Sequence, residues 1–160
     1  MADQENNGQE AEGSSIIGAI SRPAAMEALP GLCEFAASIE RQEGFSNERI
    51  AQIEPAFKAA LENIVVRAYR SRSGEIRVEC RHDYWGKLLI VISDDGEPVN
   101  ILLADVALAG EEATGDEQMR ATARLIKRTI DNIEYKRVER ENILTFFVSG
   151  ELRGKASSVG

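Results

Sequence analysis

Cysteine is almost absent: Cys33 and Cys80 are the only two in 160 residues. A lone pair so far apart fits neither a metal-binding nor a redox spacing, and each sits in an apolar-patterned stretch, so both read as reduced core thiols. His82 is the single histidine. It has Asp83 beside it but no nucleophile close in sequence, which argues for a structural role over a catalytic dyad. No apolar run reaches the roughly 18 to 20 residues needed to cross a bilayer. The N-terminal residues are acidic and polar rather than basic and then apolar, so a cytoplasmic protein is expected. Positive charge is in deficit: 19 Lys and Arg face 27 Asp and Glu, giving a net charge of -8 and a pI near 4.8. That field repels nucleic-acid backbones and anionic membrane surfaces.

What the chain does have is 43% hydrophobic content, enough for one domain with one sizeable core. Residues 1–14 carry Asp3, Glu5, Glu10 and Glu12 with almost nothing to bury, the composition of a disordered acidic tail. The domain is expected over 15–150, and 151–160 as a second disordered end. Ile16, Ile17, Ala19 and Ile20 predict a first strand stopped by Pro23. A helix from around Pro30 to about Glu40 follows and ends at Gly44; Ser46 or Asn47 caps a second one running to about Tyr69. In the latter, Phe57, Ala60, Leu61, Ile64, Val65 and Ala68 form one apolar stripe, and Pro55 is expected to kink its front half.

Glu75 to Arg81 alternates apolar and charged residues, the period of a half-buried strand. Leu88 to Ile92 is apolar throughout and predicts a central strand covered on both faces or nearly so. Tyr84 and Trp85, between the two, are expected to pack over the turn. Residues 99–117 lack periodicity and suggest a lid. A last helix over about Glu117 to Ile133 precedes two strands, Tyr135 to Val138 and Ile143 to Ser149. The order βααββαββ predicts an α/β two-layer sandwich, a mixed, mostly antiparallel sheet with helices on one face.

Two short motifs carry the chemistry. Asn63 lies beside the apolar stripe of its helix, either as a solvated surface amide or pointing past the core edge into a cleft. Asp94 closes the most apolar strand and Gly96 follows. A carboxylate there accepts an exocyclic amine, and a glycine lets backbone approach a flat ring; Asp-Asp-Gly is equally an ordinary turn.

The stretch Ala59-Ala60-Leu61-Glu62-Asn63-Ile64-Val65-Val66-Arg67-Ala68-Tyr69, followed by Val91-Ile92-Ser93-Asp94-Asp95-Gly96, resembles the nucleotide-binding core of the anti-sigma-factor serine kinases of the RsbW type. The resemblance covers roughly Ser15 to Ser149. It implies the histidine kinase-like ATPase (Bergerat) fold shared with histidine kinases and the Hsp90 chaperone. It further implies ATP and magnesium as cofactors, Asn63 on the magnesium, Asp94 and Gly96 at the adenine, and a homodimer contacting through the outer sheet edge or first helix.

The departures are as informative as the matches. Kinases of this type carry a glutamate base one turn before the asparagine; here that position is Ala59, so no catalytic residue is assigned. Glu62 is expected to point about 100° away from Asn63. The family opens its last helix on a glycine-rich phosphate turn, but Met119 to Ala123 has no glycine. Gly115 is followed by Asp116 and Glu117, with Glu111 and Glu112 before it, and these carboxylates would fill an anion site. Arg120, Arg124, Lys127 and Arg128 form a basic stripe, either a solvated face or a grip for an acidic partner.

The expected function is a non-catalytic regulator resembling an anti-sigma factor. It would bind a sigma factor or an anti-sigma antagonist in a partner-switching pathway, with nucleotide binding weakened or lost. The alternative is an ATP-binding serine/threonine kinase that phosphorylates such an antagonist using a base from elsewhere. Between them stands an adenine-nucleotide sensor whose lid orders on binding.

Overall fold

The computed structural model describes residues 15–69, 73–104 and 117–154; the tail over 1–14, most of the expected lid and residues 155–160 lie outside them. Strand β1 (Ser15–Pro23) leads through a short 3-10 turn at Met26–Ala28 into helix α1 (Leu29–Gln42). Pro30 falls in the first turn of α1, where a missing N–H costs nothing. Helix α2 (Asn47–Asn63) starts at Ser46, whose hydroxyl accepts from the Arg49 N–H at 3.1 Å. Its last stretch, Ile64–Tyr69, is wound as a π-helix, a form common at functional sites. Strands β2 (Glu75–His82) and β3 (Leu88–Asp94), helix α3 (Glu117–Thr129), and strands β4 (Asn132–Val138) and β5 (Glu141–Val148) complete the chain.

The sheet order is β1-β2-β3-β5-β4, and every pairing is antiparallel. Along β3, Leu88, Ile90, Ile92 and Asp94 are buried while Leu89, Val91 and Ser93 are only half-buried. Among the described residues its buried positions share one face with the helices, and the other face is partly covered, close to the expectation of a strand covered on both faces or nearly so. The other face tolerates apolar residues because neighbouring strands shield them laterally, as Phe147 does beside Leu89. On the inner face, Leu32, Ala36, Ile53, Phe57 and Leu61 meet Ile76, Val78, Ile90, Ile92 and Phe146 in one core cluster. Phe57 and Phe146 touch edge to face with ring centroids 6.3 Å apart.

Helix α3 is shorter than expected. It stops at Thr129, and Ile133 belongs to β4 instead of the helix. The reason is Arg49, which is fully buried. Its guanidinium donates to the carbonyls of Thr129 at 3.1 Å and Ser149 at 2.9 Å, and to Asp131 at 3.0 Å. Asp131 also accepts from the Ser149 N–H and hydroxyl. One cation thus satisfies the free carbonyl at the end of α3 and turns the chain into β4. Past β5, Arg153 exchanges two backbone hydrogen bonds with the Gln52 side chain, so this segment is tied to α2.

A second buried charge-bearing group, Glu40, is 2% exposed on the core side of α1. Burial pushes its carboxyl up to about 8; Arg49 works against the rise and Glu54 adds to it. The folded state then holds this proton more tightly than the unfolded chain does, where the ordinary value is 4.5. Stability contributed by Glu40 is present at low pH and falls as pH rises through the interval from 4.5 to about 8. Glu40→Gln is expected to flatten that decline when urea midpoints are compared on either side of the interval. An unchanged slope would contradict the assignment.

Candidate functional site

The end of α2 and the turn after β3 interlock through backbone and small residues. The Glu97 N–H donates to the Ala68 carbonyl at 2.8 Å. A Cβ on Gly96 would lie 2.7 Å from both the Cβ and the carbonyl oxygen of Ala68. The glycine that sequence reasoning assigned to ring approach is thus required for the turn to seat on the helix end. Tyr69 is 2% exposed. Its hydroxyl accepts from the Asp95 N–H at 2.9 Å and meets the Asp95 carboxylate and the Glu75 carbonyl. Burial first, then the Asp95 carboxylate, raises the Tyr69 pKa. Gly74 makes room for this ring: a Cβ there would fall 2.2 Å from it.

Asp94 lies one step before this turn and is 4% exposed. Its Oδ1 accepts from the Gly96 N–H at 2.9 Å and from the Asn142 amide at 2.9 Å. Oδ2 takes no hydrogen bond among the described residues. Burial raises the Asp94 pKa; the Asn142 and Gly96 hydrogen bonds hold it back. Asn142, also 4% exposed, was missed as a site residue because it sits in what reads as a polar turn. The signal was available: Asn142, Leu144, Phe146 and Val148 share one face of β5, which places a polar group among core positions.

Asp94, Asn142, Tyr135, Val99, Ile101 and Asn63 line a cavity of about 20 Å³. Asn63 also lines a second cleft of about 180 Å³, with Ala59, Glu62, Val66, Arg67, Met26 and the first residues of α3. The structure therefore brings Asn63 and Asp94 to one cavity, the two residues that the resemblance placed at one site. Glu62 lines the same cleft as Asn63, whose wall takes in both neighbouring α2 positions. The Asn63 side chain makes no hydrogen bond among the described residues. The family-like Gly115 and the acidic residues 111, 112 and 116 lie outside the described residues; Glu117, at the start of α3, pairs with Arg120 at 2.7 Å.

The sequence matches the profile of the histidine kinase-like ATPase domain over residues 22–148. The chain belongs to that family. No curated protein matches it. Among solved structures it is similar to the histidine kinase domain of a blue-light activated histidine kinase from Erythrobacter litoralis EL346, at 18% identity and a TM-score of 0.47. That alignment covers 75% of this chain and 60% of that one, so the chain spans about three fifths of that structure.

A histidine kinase-like ATPase domain implies a nucleotide, and these residues can be tested against one. The free Oδ2 of Asp94 suits an exocyclic amine, and the free Asn63 amide suits a hydrated cation. The room does not suit a base. About 20 Å³ admits one water molecule, whereas small-molecule pockets run to roughly 300 Å³ and more. As arranged, the adenine end of this ATPase-family domain does not fit its nucleotide.

At the opposite end of β3, the β2–β3 turn carries Tyr84 and Trp85, 72% and 80% exposed. They stack edge to face on each other, centroids 5.2 Å apart, instead of packing over the turn as expected. Asp83 holds the turn by accepting from the Trp85 and Lys87 N–H groups at 2.8 Å, and Gly86 adopts φ +85. The carboxylate tightens the turn so far that both rings project from it. His82 contacts Glu43 at 2.6 Å, joining β2 to the end of α1, which is the structural role expected of it.

Gly96→Ala is expected to destabilise the domain by roughly 1–3 kcal/mol through overpacking against Ala68. Gly31→Ala, inside α1 with nothing within 4 Å of the added Cβ, should instead stabilise by about 0.5–1 kcal/mol. Chemical denaturation of both variants checks the pair. Equal effects would remove the packing account.

Proposed function

We propose that this chain is a regulatory member of the histidine kinase-like ATPase family that works as anti-sigma factors of the RsbW type do. It binds a protein partner, a sigma factor or an anti-sigma antagonist, in a cytoplasmic partner-switching pathway. Nucleotide binding is weakened or lost and no kinase base is present. The observation that carries this reading is the small cavity at Asp94, where the chain's own Asn142 and Gly96 satisfy the carboxylate's Oδ1. Ala59, in place of the family's glutamate, agrees with it. The Tyr84 and Trp85 pair supplies a rigid aromatic projection of the sort that anchors protein interfaces.

The kinase reading keeps one observation of its own. Glu62 places a carboxylate in the same cleft as Asn63, the residue proposed for magnesium. In that reading Asp94 and Gly96 hold the adenine and Glu62 takes the serine proton of an antagonist protein.

The two separate in one experiment. The purified chain is mixed with the sigma factors and antagonist proteins of its own genome, with and without magnesium ATP. Complexes are followed by the anisotropy of the labelled chain, and antagonist serines by mass spectrometry. The expected result is a complex that Trp85→Ser weakens about tenfold or more, with no phosphoserine formed. Phosphoserine on the antagonist would establish the kinase reading and overturn ours.

A further inference from the structure

We propose that Asn142 is an internal plug and latch for the purine end of the site. Its side chain stands where a base would meet Asp94, and it pins the segment that roofs the cavity. The inference rests on the proposed loss of nucleotide control and not on the identity of any partner.

Asp94 and Asn142 are direct partners in the β3–β5 register, so their contact is fixed by the sheet and not by a loop. The amide is fully used. Its nitrogen donates to Asp94 Oδ1 at 2.9 Å and to the Glu97 carbonyl at 2.9 Å. Its oxygen accepts from the Tyr135 hydroxyl at 2.6 Å and from the Val99 N–H at 3.4 Å. An asparagine amide has two donors and two acceptor sites, and here each has a protein partner. Those partners come from β3, β4 and both sides of Pro98, so one side chain gathers three walls of the cavity. Of the residues lining it, Val99 is itself held by Asn142 and Ile101 lies two positions further along the same segment.

A purine can enter only if this amide leaves and the 97–101 segment lifts. Both happen together, because the same side chain blocks the space and holds the roof. Asp94 keeps an unpartnered Oδ2 on the cavity wall throughout. The acceptor for an exocyclic amine is therefore retained beneath the plug, and removing the plug should expose it.

The test is calorimetric titration of the full chain with ADP and with adenosine. It compares wild type, Asn142→Ala, and Tyr135→Phe, which loosens the plug by one hydrogen bond while leaving the core packing in place. Circular dichroism reports folding of each. The expected result is no saturable binding by wild type at millimolar ligand. Asn142→Ala, or Tyr135→Phe if the alanine variant does not fold, should gain binding at least tenfold tighter, and Asp94→Asn in the same background should abolish the gain. Folded variants that gain nothing, with wild type still silent, would overturn the plug and leave the partner-binding reading standing. Micromolar binding by wild type, weakened by Asn142→Ala, would make Asn142 a ligand contact and overturn both.

Discussion

Asp94 Oδ1 receives two hydrogen bonds, one from a backbone N–H two residues on and one from the strand beside it, and the arrangement around the cavity follows from that pair. The first folds the Asp94-Asp95-Gly96 turn back on itself, which carries Gly96 onto Ala68 and aligns Asp95 with Tyr69. The second fixes Asn142 in the cavity, and Asn142 in turn fixes Glu97 and Val99. A carboxylate buried this deeply is costly unless its oxygens are satisfied. Here the chain itself supplies part of that satisfaction, where a ligand site would leave it to the ligand.

The two ends of the domain are held by different physics. At one end Arg49 gathers the last carbonyl of α3, Asp131 and the chain leaving β5, a charged staple whose guanidinium is fully out of water. At the other, the Asn142 amide and the Tyr135 hydroxyl hold the Asp94 carboxylate beside a small cavity. Breaking a buried ion pair leaves an uncompensated charge, whereas a carboxylate that loses an amide donor can re-pair with water or a ligand amine. The staple is therefore a fixed part of the fold. The Asp94 network is the part that a single substitution can reopen.

Much of this was legible in the sequence. Element order and the one-sided helix layer follow from periodicity, and the cap was narrowed to Ser46 or Asn47, of which the structure uses Ser46; the pairing of Asn63 with Asp94 came from the family resemblance. Gly96 was read as leaving room for a flat ring; the close neighbour in the structure is Ala68 of the chain itself. What sequence could not supply was register. Asn142 acquires its role because β5 pairs with β3 so that it falls opposite Asp94; its alternation with Leu144, Phe146 and Val148 shows the face it shares but not the partner it meets. The same limit explains α3: the helix ends early because Arg49, 80 positions away in sequence, binds Thr129 and Asp131. Tyr84 and Trp85 were expected to be covered because aromatics usually are; the Asp83 turn is tight enough to leave both in water.

The central claim is that Asn142, held on Asp94 Oδ1, keeps nucleotide from reaching the free Oδ2 of the same carboxylate. The most direct measurement is an NMR titration of the wild-type chain with magnesium ATP, following the Gly96 backbone amide and the Asn142 side-chain amide. The account predicts that both stay slow to exchange with solvent and unshifted through millimolar nucleotide. Saturable shifts of both signals, with loss of protection at the Asn142 amide, would mean that nucleotide displaces it and would contradict the account.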